Sequence, residues 1–398
     1  MIKLIIELSE ESIIKEIVNV GVYDKSINIF ENKIKIIPLK YYGISSPAAN
    51  IIKQYMLELG GDCAVNNGCI NGEVEASDII LLGTLRQYND LLFKTNSIEF
   101  FNISAFNNEL RDYLFRQDKF STVLADGRII TYDTMRIMGI INCTTDSFYE
   151  GSRKKSVEEA LLMAEKMLSD GADILDIGGE STRPGSEPIS EEEEIERVVP
   201  VIKAIKSQFK ASIISIDTYR ASTAREAIKA GADIVNDISA LQFDTDMIKV
   251  IKEYNVPVIL MHIKGKPKDM QKDPKYKDLM TEMFEYFDER IKFAKSYGLS
   301  NEKLILDPGI GFGKTFEHNL EIFKRMRELK SFNLPVLLAT SRKATIGKVL
   351  GDLPAAERLE GTIATSCAAV SAGLNIVRVH DVKENARAIK MMEAIKCI

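Results

Sequence analysis

Eight short apolar runs, each followed by a longer stretch of helical periodicity, predict an α/β fold: a (β/α)8 TIM barrel preceded by a small α/β domain. Two further observations support this. The alternation occupies about 260 residues, the size of such a barrel, and every run ends in a group that can hydrogen-bond or ionise, as active-site strands of barrels do. The predicted boundaries are 1–120 for the small domain and 121–398 for the barrel. A doubly wound open sheet is the weaker alternative.

The elements follow in chain order. "MIKLIIEL" (1–8), "KIKIIPLKYY" (33–42) and "DIILLGT" (78–84) read as strands, with helices over "SPAANIIKQYMLELGG" (46–61) and "LRQYNDLLFK" (85–94). In "STVLADGRIITYD" (121–133), Asp126-Gly127 between β-formers signals a hairpin, read as a plug across the bottom of the barrel. The barrel strands are then "RIMGIIN" (136–142), "DILDIGG" (173–179), "SIISID" (212–217), "DIVNDIS" (233–239), "PVILMH" (257–262), "LILDPG" (304–309), "PVLLATS" (335–341) and "NIVRVHD" (375–381). Helices are expected over 157–169, 191–208, 279–297 and 357–372, among others. Ser190 and Glu193 stand at capping-box spacing, so the acidic run "SEEEEIER" reads as a helix start.

Composition narrows the function classes. The chain has 398 residues and a net charge of -6, with 52 basic against 58 acidic residues, which argues against nucleic-acid binding through bulk charge. Five scattered cysteines without a C-x-x-C pair argue against a disulfide framework or a zinc site, and three histidines without H-E-x-x-H against a histidine-built metal centre. The N-terminus turns acidic within ten residues and no apolar run reaches membrane-spanning length, so a cytoplasmic protein is expected.

The chemistry is at the strand ends: Asn142; Asp176 with Glu180, Thr182 and Arg183; Asp217; Asn236 and Asp237; His262; Asp307; Ser341, Arg342 and Lys343; Arg378, His380 and Asp381. Ser239 and Thr218 read as caps of the next helix, but so many groups converging on one mouth cannot all be caps. "GGESTRPGS" (178–186) is too long and polar for a tight connection and reads as a loop over the mouth, and "NCTTDSFYEGSRKKS" (142–156) as a second. Two carboxylates, an amide and an ammonium from Asp217, Asn236, Asp307 and Lys343 suit the edge of a flat heterocycle. Arg378, His380 and Asn142 suit an oxyanion such as diphosphate, with Asn142 and phosphate oxygens able to share Mg²⁺. Heterocycle plus diphosphate suggests group transfer with diphosphate leaving. "DPGIGFGKT" (307–315) is not a P-loop, because Pro308 stands where glycine is required, and Gly309, Gly311 and Gly313 lack dinucleotide-fingerprint spacing; the glycines read as letting backbone approach a ligand.

In this order, "MGIINCTTDSF", "DIGGESTRPGS", "SIDT", "VNDIS", "LDPGIGFGKT", "TSRK" and "RVHDV" resemble dihydropteroate synthase from about residue 122 to the C-terminus. The resemblance implies a transferase of folate biosynthesis that joins 6-hydroxymethyl-7,8-dihydropterin diphosphate to 4-aminobenzoate, releasing pyrophosphate and 7,8-dihydropteroate. It implies a pterin pocket of Asp176, Asp217, Asn236, Met261, Asp307 and Lys343, a diphosphate site of Asn142, Arg183, Arg378 and His380 with Mg²⁺ on Asn142, and an aminobenzoate site of Thr182, Pro184, Phe312 and Lys343. It further implies that diphosphate leaves before the arylamine attacks, with Asp146, Lys343, Arg183 and Asp217 serving catalysis; a homodimer; and inhibition by sulfonamides, with no nucleic-acid or membrane partner. The sequence departs from the family pattern at Thr145, where proline is usual, at Ala344 and Thr345, where serine and a bulky residue are usual, and in the extra domain, whose role the sequence does not give. Two rivals are a corrinoid-dependent methyltransferase on methyltetrahydrofolate, expected to lack "ESTRPG" and "SRK", and a catalytically silent barrel retained for binding.

Overall fold

In the computed structural model, the described residues are 10–22, 27–115, 120–143, 150–181 and 188–396. The chain divides into two compact units, 1–117 and 118–398.

In the first unit, β1 (Ile36–Ser45), β2 (Asp62–Ala64) and β3 (Ala76–Thr84) form an antiparallel sheet in the order β1-β3-β2. Burial alternates along β3, so Ile79 and Leu81 face a core shared with helices Ser46–Glu58, Leu85–Thr95 and Ile103–Leu114. The Tyr88 hydroxyl is held in that core by the Leu81 carbonyl at 3.1 Å. The expected strand at 1–8 lies outside the described residues.

In the second unit, β4 (Ser121–Val123) and β5 (Ile129–Thr131) form the expected hairpin. Eight parallel strands follow: β6 (Arg136–Asn142), β7 (Ile174–Gly178), β8 (Ile213–Asp217), β9 (Ile234–Asp237), β10 (Val258–Met261), β11 (Leu304–Asp307), β12 (Leu337–Ala339) and β13 (Ile376–Val379). Their order is β11-β10-β9-β8-β7-β6-β13-β12, and a parallel bridge from Leu306 to Val336 joins the two ends into a closed barrel. The strands are largely apolar on both faces because both faces are covered, with their polar groups mostly towards the C-terminal ends. Ile214, Ile216, Val235 and Val258 pack outward in the layer shared with the helices, while Met138, Ile174, Ile234, Ile259, Ile305, Leu337 and Ile376 fill the lumen.

Leu124 and Ile130 join that luminal cluster, so the hairpin does plug the bottom. Arg128 reaches from it to Asp233 and the Ala211 carbonyl, ahead of β9 and β8, and Lys303, ahead of β11, donates to the Val123 carbonyl. Helices start where sequence chemistry allows. Ser190, Asp278 and Thr315 accept the amides of Glu193, Thr281 and His318, and Gly231 and Gly373 terminate helices in the left-handed conformation. Above the apolar lumen layer, alternation places Asp176, Asn236, Asp307 and Arg378 on the same inward face, at the C-terminal ends of their strands.

Candidate active site at the barrel mouth

The centre of the mouth is a bonded set. Arg378 donates through Nε to Asp176 Oδ2 and through Nη2 to Asp217 Oδ2, each at 2.5 Å, and Asn236 Nδ2 also donates to Asp176 Oδ2 at 3.2 Å. Asp176 is fully buried, Asp217 and Arg378 nearly so at 15% and 17% side-chain exposure. Among the described residues Asp176 Oδ1, also buried, has no hydrogen-bond partner. A buried acceptor left without a donor is costly, so this oxygen marks where a ligand N–H belongs.

Electrostatics support the same reading. Burial pushes the Asp217 carboxyl up to about 7 despite the opposing Arg378 guanidinium, with the Asp176 charge adding to the rise. Burial likewise raises Asp307, which Lys343 opposes, and brings the Lys343 ammonium down to about 8. Three carboxylates face two cations in a desolvated space. Such a set carries a surplus of negative charge when all are ionised and is suited to a ligand that donates hydrogen bonds and becomes positive.

One wall is the 308–313 turn after β11. Gly309, Gly311 and Gly313 all have positive φ, at 64°, 83° and 63°. A Cβ on Gly309 would lie 2.0 Å from the His262 carbonyl oxygen and one on Gly313 2.2 Å from that of Lys264. At those two positions the close approach is therefore to the chain's own backbone, rather than to a ligand as the sequence suggests; only at Gly311 is there space, with Lys343 Cδ 3.7 Å away. The Asp307 carboxylate accepts from Gly309 N at 2.7 Å, and Lys343 Nζ donates to the Ile310 carbonyl at 2.5 Å and lies 4.9 Å from the centroid of the Phe312 ring. Phe312 packs with Met261, Ile238, Ile263 and Met270, an apolar cluster beside the charged one.

Asp176, Asp217, Asn236, Met261, Asp307, Lys343, Phe312 and Arg378 are thus gathered. Asn142 ends β6 with its side chain exposed, and half-buried His380 directly follows β13, with Nδ1 2.9 Å from Ser341 Oγ. Asp146, Thr145, Thr182, Arg183 and Pro184 lie outside the described residues. Two strand-end groups belong elsewhere. The His262 ring is buried, with Nδ1 2.8 Å from Lys314 Nζ, and burial and that ammonium hold its pKa well below the usual histidine range. Asp237 takes the amides of Ser239 and Leu241, so it shapes the turn after β9; Ser239 and Thr218 do not cap the next helices, which begin after Asp246 and Arg220, but accept the amides of Gln242 and Arg220 inside their turns.

Lys314 is the residue the sequence reading missed. Its buried ammonium also donates to the carbonyls of His262, Gly309 and Phe312, at 3.2, 3.0 and 3.0 Å, and so fixes the turn. Its signal was a lysine directly after three spaced glycines, set aside together with the false P-loop. A second unforeseen anchor is Arg220, bonded to Glu194 and the Ile189 carbonyl and ion-paired with Glu180 at 2.7 Å.

Comparison with known proteins agrees with this geometry. The profile of the family "Pterin binding enzyme" matches residues 138–380. A dihydropteroate synthase of Bacillus subtilis is 49% identical over 259 residues, 65% of this chain and 88% of that protein. The crystal structure of the Yersinia pestis dihydropteroate synthase with a sulfonamide drug complex superposes with a TM-score of 0.66 at 40% identity, over 70% of this chain and all of that one. That of Xanthomonas albilineans with 4-aminobenzoic acid gives 0.65 at 37% identity, over 70% and 99%. The chain belongs to the pterin binding enzymes and, within them, to the dihydropteroate synthases.

Proposed function

We propose that the barrel mouth condenses 6-hydroxymethyl-7,8-dihydropterin diphosphate with 4-aminobenzoate, giving 7,8-dihydropteroate and pyrophosphate. The observation that carries this is the Asp176–Arg378–Asp217 set with its unpartnered Asp176 oxygen, beside Asp307 and Lys343. The pterin offers an amino group and ring N–H groups to Asp176, Asp217 and Asp307, while Asn236 supplies both donor and acceptor. Met261 and Phe312 bound its ring face, and Phe312 with Lys343 extends to the aminobenzoate. Among the described residues the mouth offers no cysteine thiolate, and its serine–histidine contact, Ser341 with His380, lies on the diphosphate side rather than in the pterin pocket of this proposal. The surplus of carboxylate instead stabilises positive charge on the pterin as the carbon–oxygen bond to diphosphate breaks, after which the arylamine attacks that carbon. Arg378 touches both Asp176 and Asp217, so it joins the pterin pocket to the diphosphate side, where Asn142 and His380 lie and to which Arg183 is assigned.

Mg²⁺ fits this donor set in one way. Among the described residues no group of three or more His, Cys, Asp or Glu could hold a metal, whereas Asn142 offers a hard, exposed amide oxygen that can share an ion with substrate phosphates. When bound, the ion neutralises departing diphosphate. The Xanthomonas albilineans relative with 4-aminobenzoic acid and the Yersinia pestis relative with a sulfonamide support the acceptor and the inhibitor class proposed here. A homodimer in the cytoplasm is proposed on family resemblance; no helix among the described residues is long and apolar enough to cross a membrane. Titration calorimetry tests the site: the pterin diphosphate should bind with Mg²⁺ and lose affinity in Asp176→Asn, and equal affinity in that variant would remove the carboxylate from the pterin pocket.

A further inference from the structure

The ladder between β12 and β13 stops at Ala339 and Arg378, after the pairs 337·376, 338·377 and 339·378. Carried two and three residues further, the same register pairs Ser341 with His380 and Arg342 with Asp381. Those are the side chains that bond. Ser341 Oγ accepts the His380 amide at 3.1 Å and lies 2.9 Å from His380 Nδ1, and Arg342 donates through Nε and Nη2 to the two Asp381 oxygens at 3.0 and 2.5 Å. Side chains continue the register beyond the last backbone pair.

Arg342 is an expensive residue to use for this. Its φ is +57°, in the left-handed region that favours glycine, yet an arginine occupies it. The conformation is held from three sides: its amide donates to Thr362 Oγ1 at 3.1 Å, its carbonyl accepts from Arg358 Nη1 at 2.8 Å, and its fork is bidentate on Asp381. Asp381 immediately precedes the helix Val382–Lys396, where an aspartate commonly caps the first amides, but both its oxygens accept from Arg342. The pair is half-exposed, with side-chain exposures of 36% and 19%, and ion pairs so placed add little stability. Stability alone does not account for a strained backbone and a bidentate fork at one point.

Position does. Arg342 precedes Lys343, whose ammonium lies over Phe312, and Asp381 follows His380 and, at three residues' distance, Arg378. We infer that Arg342, with Asp381, is a positioning residue that fixes the spacing between Lys343 on one strand end and Arg378 and His380 on the next. This rests on the proposed reaction and deepens it. The bond that breaks lies between the pterin methylene carbon and diphosphate, so its two halves are held by groups from these two strand ends. A fixed frame matters most when that bond is stretched, so its loss lowers kcat more than it raises KM.

The test uses the full chain with Arg342→Gly, Arg342→Lys, Asp381→Asn and the double variant Arg342→Gly/Asp381→Asn. Glycine relieves the left-handed backbone while removing the fork, which separates a positioning defect from an unfolding one. The expected result is a kcat lower by on the order of 10- to 100-fold in Arg342→Gly and Asp381→Asn, with KM for both substrates within about threefold and unfolding midpoints near wild type. The double variant should be no worse than the worse single one, and Arg342→Lys should recover only part of the loss, because an ammonium cannot form the fork. Wild-type kcat in Arg342→Gly, or losses that multiply in the double variant, would overturn the inference while leaving the proposed reaction standing. A wild-type protein that makes no dihydropteroate would instead bring down the reaction itself.

Discussion

The two ends of the barrel handle charge in opposite ways. At the bottom, the carboxylates of the plug contact are met by cations: Asp233 accepts from Arg128, Lys206 and the Ile214 amide at 2.5, 2.7 and 2.8 Å, and Arg136 pairs with Asp173 at 3.1 Å, while Lys303, lowered by burial, is held by the Val123 and Asn255 carbonyls. At the mouth, Asp217 and Asp307 are held above and Lys343 below their ordinary values by burial, and Asp176 Oδ1 has no donor among the described residues. The bottom is arranged for stability and the mouth is under-satisfied, as a site that must exchange its own partners for a ligand's has to be. The small domain offers a third case: of its buried polar groups, Thr95 donates to Asn107 Oδ1 at 2.7 Å and Ser46 to the Val74 carbonyl at 2.6 Å.

This contrast is open to direct attack. The largest effect should come from Lys343→Ala or Asp217→Ala, each lowering kcat/KM by on the order of 10³-fold with an unchanged circular dichroism spectrum; near wild-type turnover would show that the charged cluster is structural after all. Gly309→Ala should come next. Its Cβ would lie 2.0 Å from a backbone oxygen at positive φ, so the variant should lose about 3 kcal/mol or more in denaturant titration together with pterin binding, and an unperturbed variant would mean that the turn is looser than described.

Titration of the mouth gives a third test. Turnover should rise as Asp217 ionises near pH 7 and fall as Lys343 loses its proton near pH 8, and Lys343→Arg should remove the alkaline limb. Stability of the ligand-free protein carries the same two groups with worked signs. Asp217, raised on folding, contributes stability that is lost as pH rises from the ordinary carboxylate range through about 7, and Lys343, lowered on folding, contributes stability that is lost as pH falls from the ordinary lysine range through about 8. Asp217→Asn should flatten the first dependence in thermal unfolding, and an unchanged profile would assign it elsewhere.

At the bottom the opposite pattern is expected. Asp233→Asn should cost about 1–3 kcal/mol, because it disrupts a buried acceptor with three donors, yet leave kcat within about twofold. A selective loss of kcat there would blur the distinction between the two ends. Smallest of all should be the effect of removing 1–117: a chain starting at 118 keeps the hairpin plug and should keep turnover, whereas a dead but folded truncation would make the first unit part of the enzyme.

Much of this was legible in the sequence for a simple reason. Parallel strands covered on both faces are written as mostly apolar runs, and the inward-facing residue next to the mouth breaks the run, as Asp176 does within "ILDIG" and Asn236, followed by Asp237, within "IVND". Period-two alternation then placed Asp217, Asp307 and Arg378 with them. What a strand-end rule cannot supply is the direction in which a side chain turns once the strand has ended. His262 is followed by a turn that packs its ring against Lys314, and Asp237 turns back on its own loop, whereas Asp217 turns inward to Arg378. Lys314 and the Arg342–Asp381 fork were hidden for a related reason: their partners are backbone carbonyls and a residue 39 positions away, which no local pattern records.

The most direct measurement is pyrophosphate release by the purified protein given the pterin diphosphate and Mg²⁺, with and without 4-aminobenzoate, with the organic product identified by mass. The expected result is aminobenzoate-dependent release matched mole for mole by 7,8-dihydropteroate. Tight pterin binding with no dihydropteroate at any aminobenzoate concentration would contradict it and turn attention to the Ala344 and Thr345 positions beside Lys343 and to a different acceptor.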